Sequence, residues 1–260
     1  MSTHFEDLAD RNLAEAIRIH HRWQPGARML ELNGVLLHQG TAPLPLPFNN
    51  CVVRTDPAVQ PEQVLAQAEA FFGQASNPFA ILTMSRPDVD LDAWLGAQGF
   101  TAMSHLPAML AEAPVPVPQL DAPWQVSVLN RLEDTPGFIE VCGLAYETLG
   151  LPPMFMPSYF GAPEQLLSPE VTIAVARDGD RRISAAALVL HTGEVSGVYW
   201  VGTAPAARGH GLAAACTATV TNLALERGAR AVTLQATEMG EPTYRKLGFR
   251  EYGRMTRWFR

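Results

Sequence analysis

Apolar residues recur at near-helical spacing over Asp7–Trp23, through Leu8, Leu13, Ala16 and Ile17, and Pro25-Gly26 ends that segment. Ala27–Glu31 and Val35–His38 flank Asn33-Gly34, a dipeptide that favours a two-residue hairpin turn. Asn50–Arg54 then reads as a short strand. Pro61–Phe72 reads as a helix with Val64, Leu65, Ala68, Phe71 and Phe72 on its buried side. Phe79–Met84 is predicted as a strand, Leu91–Ala97 as a short helix ending at Gly99-Phe100, and Thr101–Leu110 as a strand. Beyond the rigid proline stretch PVPVP (114–118), the pattern predicts strand Trp124–Leu129, helix Pro136–Leu149 and an irregular loop over Pro152–Pro157. A helical Tyr159–Leu167 follows. Strands Val171–Arg177 and Ile183–His191 are joined by Asp178-Gly179-Asp180, and Val195–Thr203 is a further strand. Helix Gly211–Arg227 closes on Gly228. Strand Ala231–Ala236, short helix Glu241–Leu247 and strand Glu251–Phe259 complete the order.

One order of elements occurs twice. Thr55-Asp56-Pro57-Ala58 matches Thr203-Ala204-Pro205-Ala206, each after an apolar strand and before a helix. AWLGAQGF (93–100) matches PTYRKLGF (242–249), each between two strands. The expectation is an α+β chain of two similar lobes, 1–118 and 119–260, each with a mostly antiparallel twisted mixed sheet flanked by helices.

Composition narrows the function classes. The chain has 260 residues, 47% of them hydrophobic, enough for one large core or two small ones. A net charge of −7 weakens a nucleic-acid reading, because such proteins carry a basic excess. The N-terminal MSTHFEDLADRN has acids and no apolar run, unlike a signal peptide, and no stretch is apolar enough to span a membrane. Cys51, Cys142 and Cys216 are widely spaced and form no CxxC, which suits a reducing cytoplasm. His20-His21 has no second metal-like cluster beside it, so no metal is expected.

The chemistry concentrates in Val198–Ala214, VYWVGTAPAARGHGLAA. A strand meets a proline-marked turn, then a glycine-rich bend, then a helix start. A helix N-terminus offers unpaired amides and partial positive charge, and glycine lets a ligand approach the backbone. A tight strand-to-helix turn would need the same glycines without any ligand. In the matched turn of the first half, Gln60-Pro61-Glu62-Gln63 stands where Arg208-Gly209-His210-Gly211 stands in the second. Proline supplies no amide and Glu62 repels an anion, so the first lobe is expected to buttress and to shape an acceptor pocket. No Gly-Lys-Ser/Thr follows the glycines, which excludes a nucleotide P-loop.

Thr203-x-Pro205-x-x-Arg208-Gly209-x-Gly211-x-Ala213, the helix of small residues after it, and TYRKLGF after strand VTLQAT together resemble the GCN5-related N-acetyltransferase (GNAT) superfamily. The resemblance covers Trp124–Phe259, and more loosely the first lobe, as in tandem members with one degenerate lobe. It implies acetyl-CoA as co-substrate, with Val201, Gly202, Thr203, Arg208, Gly209, His210, Gly211, Leu212, Ala213, Ala214, Thr237 and Tyr244 as its contacts. It implies a splay between Val201–Thr203 and Leu234–Thr237 that takes pantetheine like another strand, with an N–H near Val201 polarising the thioester carbonyl. Tyr244 matches the family's acid, which would protonate the departing thiolate. The acceptor would be a small-molecule or peptide amine, taking acetyl directly in a ternary complex. Nothing in the sequence speaks to oligomeric state.

Two departures qualify this. Thr237 stands where many members carry Asn. No glutamate base lies along Val195–Thr203; Gly197 and Tyr199 occupy its middle, leaving Glu194 at its start, with Glu147 and His191 as other candidates. A non-catalytic acyl-CoA-binding sensor or scaffold is the alternative, favoured by the absent base and opposed by the retained Tyr244. Tyr244 could also simply pack under the last strand. His210 reads as a solvent-facing residue lending its amide, Cys216 as helix packing, and Met154-Phe155-Met156 as either core lid or acceptor-pocket wall.

Overall fold

The computed structural model describes residues 4–73 and 78–260. The first half comprises α1 (His4–His21), β1 (Arg28–Leu32), β2 (Val35–Gln39), β3 (Cys51–Arg54), α2 (Pro61–Phe72), β4 (Ala80–Met84), α3 (Val89–Ala97) and β5 (Thr101–Ala111). The second comprises β6 (Gln125–Val128), α4 (Thr135–Glu147), α5 (Met156–Tyr159), β7 (Val171–Arg177), β8 (Ile183–Leu190), β9 (Val195–Thr203), α6 (Leu212–Glu226), β10 (Ala231–Gln235), α7 (Glu241–Leu247) and β11 (Arg250–Phe259). The β1–β2 turn is the two-residue kind expected, with Asn33 at φ 47° and Gly34 at φ 76°. The expected helix over Tyr159–Leu167 is instead one turn of α5 and a 3-10 segment, Pro163–Leu167. Pro163 lacks the amide that a continuous helix would need there.

The eleven strands form one mixed sheet in the order β1-β2-β3-β4-β11-β5-β10-β9-β8-β7-β6. The two halves therefore do not build separate sheets. Each gives its last strand to the other: β11 pairs antiparallel with β4, from Met255↔Met84 to Trp258↔Ile81. In return β5 pairs with β10, from Val232↔Ala111 to Gln235↔Ala108. The exchanged strands β5 and β11 also pair with each other at the centre.

Helices cover both faces. α2 and α3 bury Val64, Ala68, Phe71, Phe72, Leu91 and Leu95 against the first half, and α6 and α7 pack on the second. The opposite face carries α1, α4 and α5 in one apolar cluster that joins both halves, including Leu13, Ile17, Trp23, Phe138, Tyr159 and Trp200. Although α1 begins the first half, it lies on β9: Asn12 Oδ1 accepts the Tyr199 hydroxyl at 2.6 Å. Proline-rich 114–118 is clamped to α6, where Asn222 exchanges hydrogen bonds with Val115 N and O at 2.8 and 2.9 Å.

Candidate functional site

β9 and β10 start as a parallel pair and then part. Their register runs only from Ala231↔Val195 to Thr233↔Gly197, so the strands open beyond Gly197. On its other edge β9 bulges: Ala186 faces Gly202 while Leu188 faces Tyr199, and Trp200 adopts φ 51°. A bulge turns neighbouring side chains to one face. Tyr199 and Trp200 accordingly both enter the cluster beneath α1, α4 and α5. Against the bulge stands Tyr146 of α4; burial is the main cause that raises this phenol's pKa, and the nearby Val201 amide works against it. Gly202 permits the approach of α4, because a Cβ there would lie 2.5 Å from Ala145 Cβ. Thr203 ends the strand.

The helix start beyond has no side-chain cap. The first intrahelical bond runs from Ala215 N to Gly211 O, leaving the amides of Leu212, Ala213 and Ala214 without helical partners. Gly209 (φ 86°) and Gly211 (φ 72°) are left-handed, which L-residues rarely adopt, and the space where a Gly209 Cβ would stand is open. His210 is exposed, its ring 5.6 Å from that of Trp124. Arg208 is exposed and tethered to Thr148 Oγ1 at the end of α4 (3.1 Å). A groove of about 300 Å³ continues from Ala214, between Pro116–Pro118 of the linker and Thr243, Lys246 and Leu247 of α7. Lys246 is the chain's single lysine. The free amides, the open slot and this groove fit an elongated ligand with a phosphate group, as coenzyme A is.

Tyr244 approaches the slot from α7. Its ring lies 2.9 Å from the position of a Gly240 Cβ, and Thr237 Oγ1 accepts the Gly240 amide at 3.2 Å. Its hydroxyl bonds no described residue, and burial raises its pKa, so it holds its proton at ordinary pH. Tyr244 also helps raise the Tyr146 pKa. Tyr146 was not legible as a site residue: nothing in a helix of apolar spacing marks the turn that will meet a bulge.

The corresponding slot of the first half is closed. Arg54, at the end of β3, is buried and bonds Asp88 Oδ1 (2.9 Å), Asp90 Oδ1 (2.6 Å) and the carbonyls of Val59 and Pro87 (both 3.0 Å). The turn before α2 satisfies its own amides, Gln60 N donating to Gln63 Oε1 and Ala58 N to Asp56 Oδ1. Leu95, matched to Tyr244, is fully buried.

Glu194 is not brought to this cluster. It precedes the first residue of β9, and at about 3.3 Å per strand residue it lies roughly 23 Å from Val201. Its exposed carboxylate faces His4 at 3.5 Å. His191 lies at the same remote end, bonded to Thr172 Oγ1 at 2.8 Å, with its pKa lowered to about 4 mainly by burial. Glu147 is exposed at the end of α4. The mid-strand position where a glutamate base would stand is filled: a Gly197 Cβ would lie 2.0 Å from Asn12 Oδ1. Cys51, Cys142 and Cys216 are free and buried, and burial pushes the thiols of Cys51 and Cys216 up to about 12, which disfavours the thiolate. Met156 is core, whereas Met154 is 78% exposed. Among the described residues no group of three or more His, Cys, Asp or Glu could hold a metal, and no helix is long and apolar enough to cross a membrane.

Residues 169–251, from before β7 into the start of β11, match the family model described as an acetyltransferase (GNAT) domain. No curated protein is significantly similar to the chain. Solved structures share its fold over nearly the full length. A GCN5-related N-acetyltransferase from Kribbella flavida is 21% identical, with 97% of this chain and 95% of that one covered and a TM-score of 0.76. A second, from Sphaerobacter thermophilus, is 16% identical over 95% and 84%, with a TM-score of 0.63. A tandem GNAT protein from the clavulanic acid biosynthesis pathway is 12% identical over 96% and 94%, with a TM-score of 0.61. Residues 169–251 are thus similar to a GNAT acetyltransferase domain, and the chain has the mixed α/β fold seen in these GCN5-related N-acetyltransferases.

Proposed function

We propose that this protein transfers acetyl from acetyl-CoA to the amine of a small molecule or peptide, with the donor held by 119–260 and the acceptor side shaped with the help of 1–118. The observation that carries this reading is the opened β9–β10 pair running into an uncapped, glycine-rich helix start. Acetyl-CoA would supply the acyl group as a thioester. The amides of Gly209 to Ala214 and the side chain of Arg208 would hold its pyrophosphate, and Lys246 adds a cation along the groove. Val201, Gly202 and Thr203 offer the unpaired edge of β9 to the pantetheine, and Thr237 flanks it from the start of α7. The Val201 N–H, which faces the Tyr146 hydroxyl, would donate to the developing oxyanion. Tyr244 keeps a proton for the departing sulfur. Three free, buried cysteines fit a reducing compartment such as the cytoplasm.

Calorimetry tests the cradle. Acetyl-CoA binds the wild type, and Arg208→Glu and Gly211→Pro each abolish binding; unchanged binding in both removes the assignment. A second reading, a non-catalytic acyl-CoA sensor, is favoured by Asn12 filling the position of a strand base. A screen for coenzyme A release over amines and peptides separates the two: tight binding with no release for any acceptor selects the sensor.

A further inference from the structure

Arg257 lies on β11 between Met255 and Phe259, on the face that carries α1, α4 and α5. Its strand partners are Leu82 on β4 and Ser104 on β5. Its Nε is buried without a hydrogen bond, and its guanidinium stacks 5.3 Å from the Phe259 ring centroid. The other arginines that are buried or half-buried, Arg18, Arg54, Arg86 and Arg177, each hold a carboxylate. No carboxylate among the described residues pairs with Arg257.

A second unsatisfied donor stands near it. Tyr159, the end of α5, is 1% exposed, and its hydroxyl is buried with no partner. Tyr159 lies in the same apolar cluster as Met255 and Phe259, which flank Arg257 on this face of β11, and the Arg257 charge opposes the upward push that burial gives the phenol. The Tyr159 ring meets Trp200 edge-on at 5.3 Å, and Trp200 precedes Val201 in the bulge. Both donors therefore sit on the side of the sheet that carries α1, α4 and α5, toward which Trp200 turns. A buried donor left without an acceptor destabilises the fold, and an unpaired buried charge more so. Such groups call for an acceptor that arrives with a ligand.

We propose that Arg257 and Tyr159 receive a carboxylate of the acceptor, which is then an amino acid or a peptide carrying its amine and its carboxylate on one molecule. This rests on the acetyl-transfer reading for its amine but not for its anion. The guanidinium edge presents two parallel N–H donors that match two carboxylate oxygens, and the Tyr159 hydroxyl adds a third. Because β11 belongs in sequence to the second half but sits beside β4, the site is complete only through the strand exchange.

The test is calorimetry on the full chain with N-acetyl-leucine and N-acetyl-phenylalanine, each against its C-terminal amide, with and without coenzyme A. At least one acid binds about tenfold or more tightly than its amide. Arg257→Met and Tyr159→Phe bring the pair within about threefold, and Arg257→Lys restores only part of the preference. Arg257→Met does not lower the Tm, since it removes an unpaired cation. Equal binding of acids and amides, no binding of either, or a preference that survives Arg257→Met overturns the proposal. If the acid preference holds but acetyl-CoA does not bind, the transfer reading falls and the carboxylate site stands. If acetyl-CoA binds without an acid preference, the reverse follows.

Discussion

The Trp200 indole N–H donates to Nε2 of His20 at 2.6 Å, which leaves the imidazole proton on Nδ1, bonded to Ala16 O at 2.8 Å. The ring is stacked on Phe48 at 3.9 Å and is fully buried. Burial lowers its pKa to about 3, so His20 is a neutral strut between α1 and the β9 bulge, not a base.

A pH dependence follows. Folded His20 stays neutral while the unfolded chain takes up a proton below about 6.5. The unfolded state then binds more protons, and stability falls with pH between about 6.5 and 3. Each such group contributes up to about 1.4 kcal/mol per pH unit in that window. His38, lowered to about 4 mainly by burial, acts with the same sign. Urea titrations from pH 7.5 to 5 should show wild type losing stability more steeply than His20→Asn. Parallel profiles would refute the buried neutral imidazole.

Tyr244→Phe should lower kcat by about a hundredfold, within the range of positioned acids, while acetyl-CoA affinity stays within about threefold. The hydroxyl bonds no described residue, so its removal leaves little else to change. Steady-state kinetics with calorimetry on the same preparation separates the two effects, and equal turnover removes the acid role.

Glu194→Gln should leave kcat/KM within about twofold, because its carboxylate faces His4 at the remote end of β9. A loss beyond tenfold would return Glu194 to the candidates for a base.

Gly197→Ala should destabilise by about 1–3 kcal/mol. Its Cβ would stand 2.0 Å from Asn12 Oδ1 and 2.6 Å from the Tyr199 ring, and relief means breaking the Asn12–Tyr199 bond. In a double-mutant cycle Asn12→Ala should absorb part of that cost; simple additivity would show that the two positions do not touch.

Much of this was legible in local pattern. Asn33-Gly34 and Pro61–Phe72 behave as their residues dictate, because turn chemistry and helical apolar spacing act over a few positions. The backbone of the proposed cradle was legible for the same reason: Gly209 and Gly211 adopt left-handed backbone, and Gln60-Pro61-Glu62-Gln63 shows by contrast what a self-capped turn contains. What escaped lies between distant segments. Nothing near Thr101 or Arg250 tells which strand each will join, since both are strands that follow a Gly-Phe pair. Asn12 at Gly197, Tyr146 at Val201 and Arg257 near Tyr159 depend on that choice, so reading the strand suggested a missing glutamate without showing what had filled its place.

The exchange of β5 and β11 also sets the order of assembly. β11 is the last of the eleven strands to leave the ribosome, yet it enters the middle of the sheet, between β4 and β5. Until it arrives, β4 keeps an open edge and the first half cannot close on its own. The central pairing is long-range contact of the kind that slows folding and exposes strand edges to wrong partners. Deleting β11 would open the sheet along its midline and part the two halves, where loss of β1 or β6 would trim only a margin.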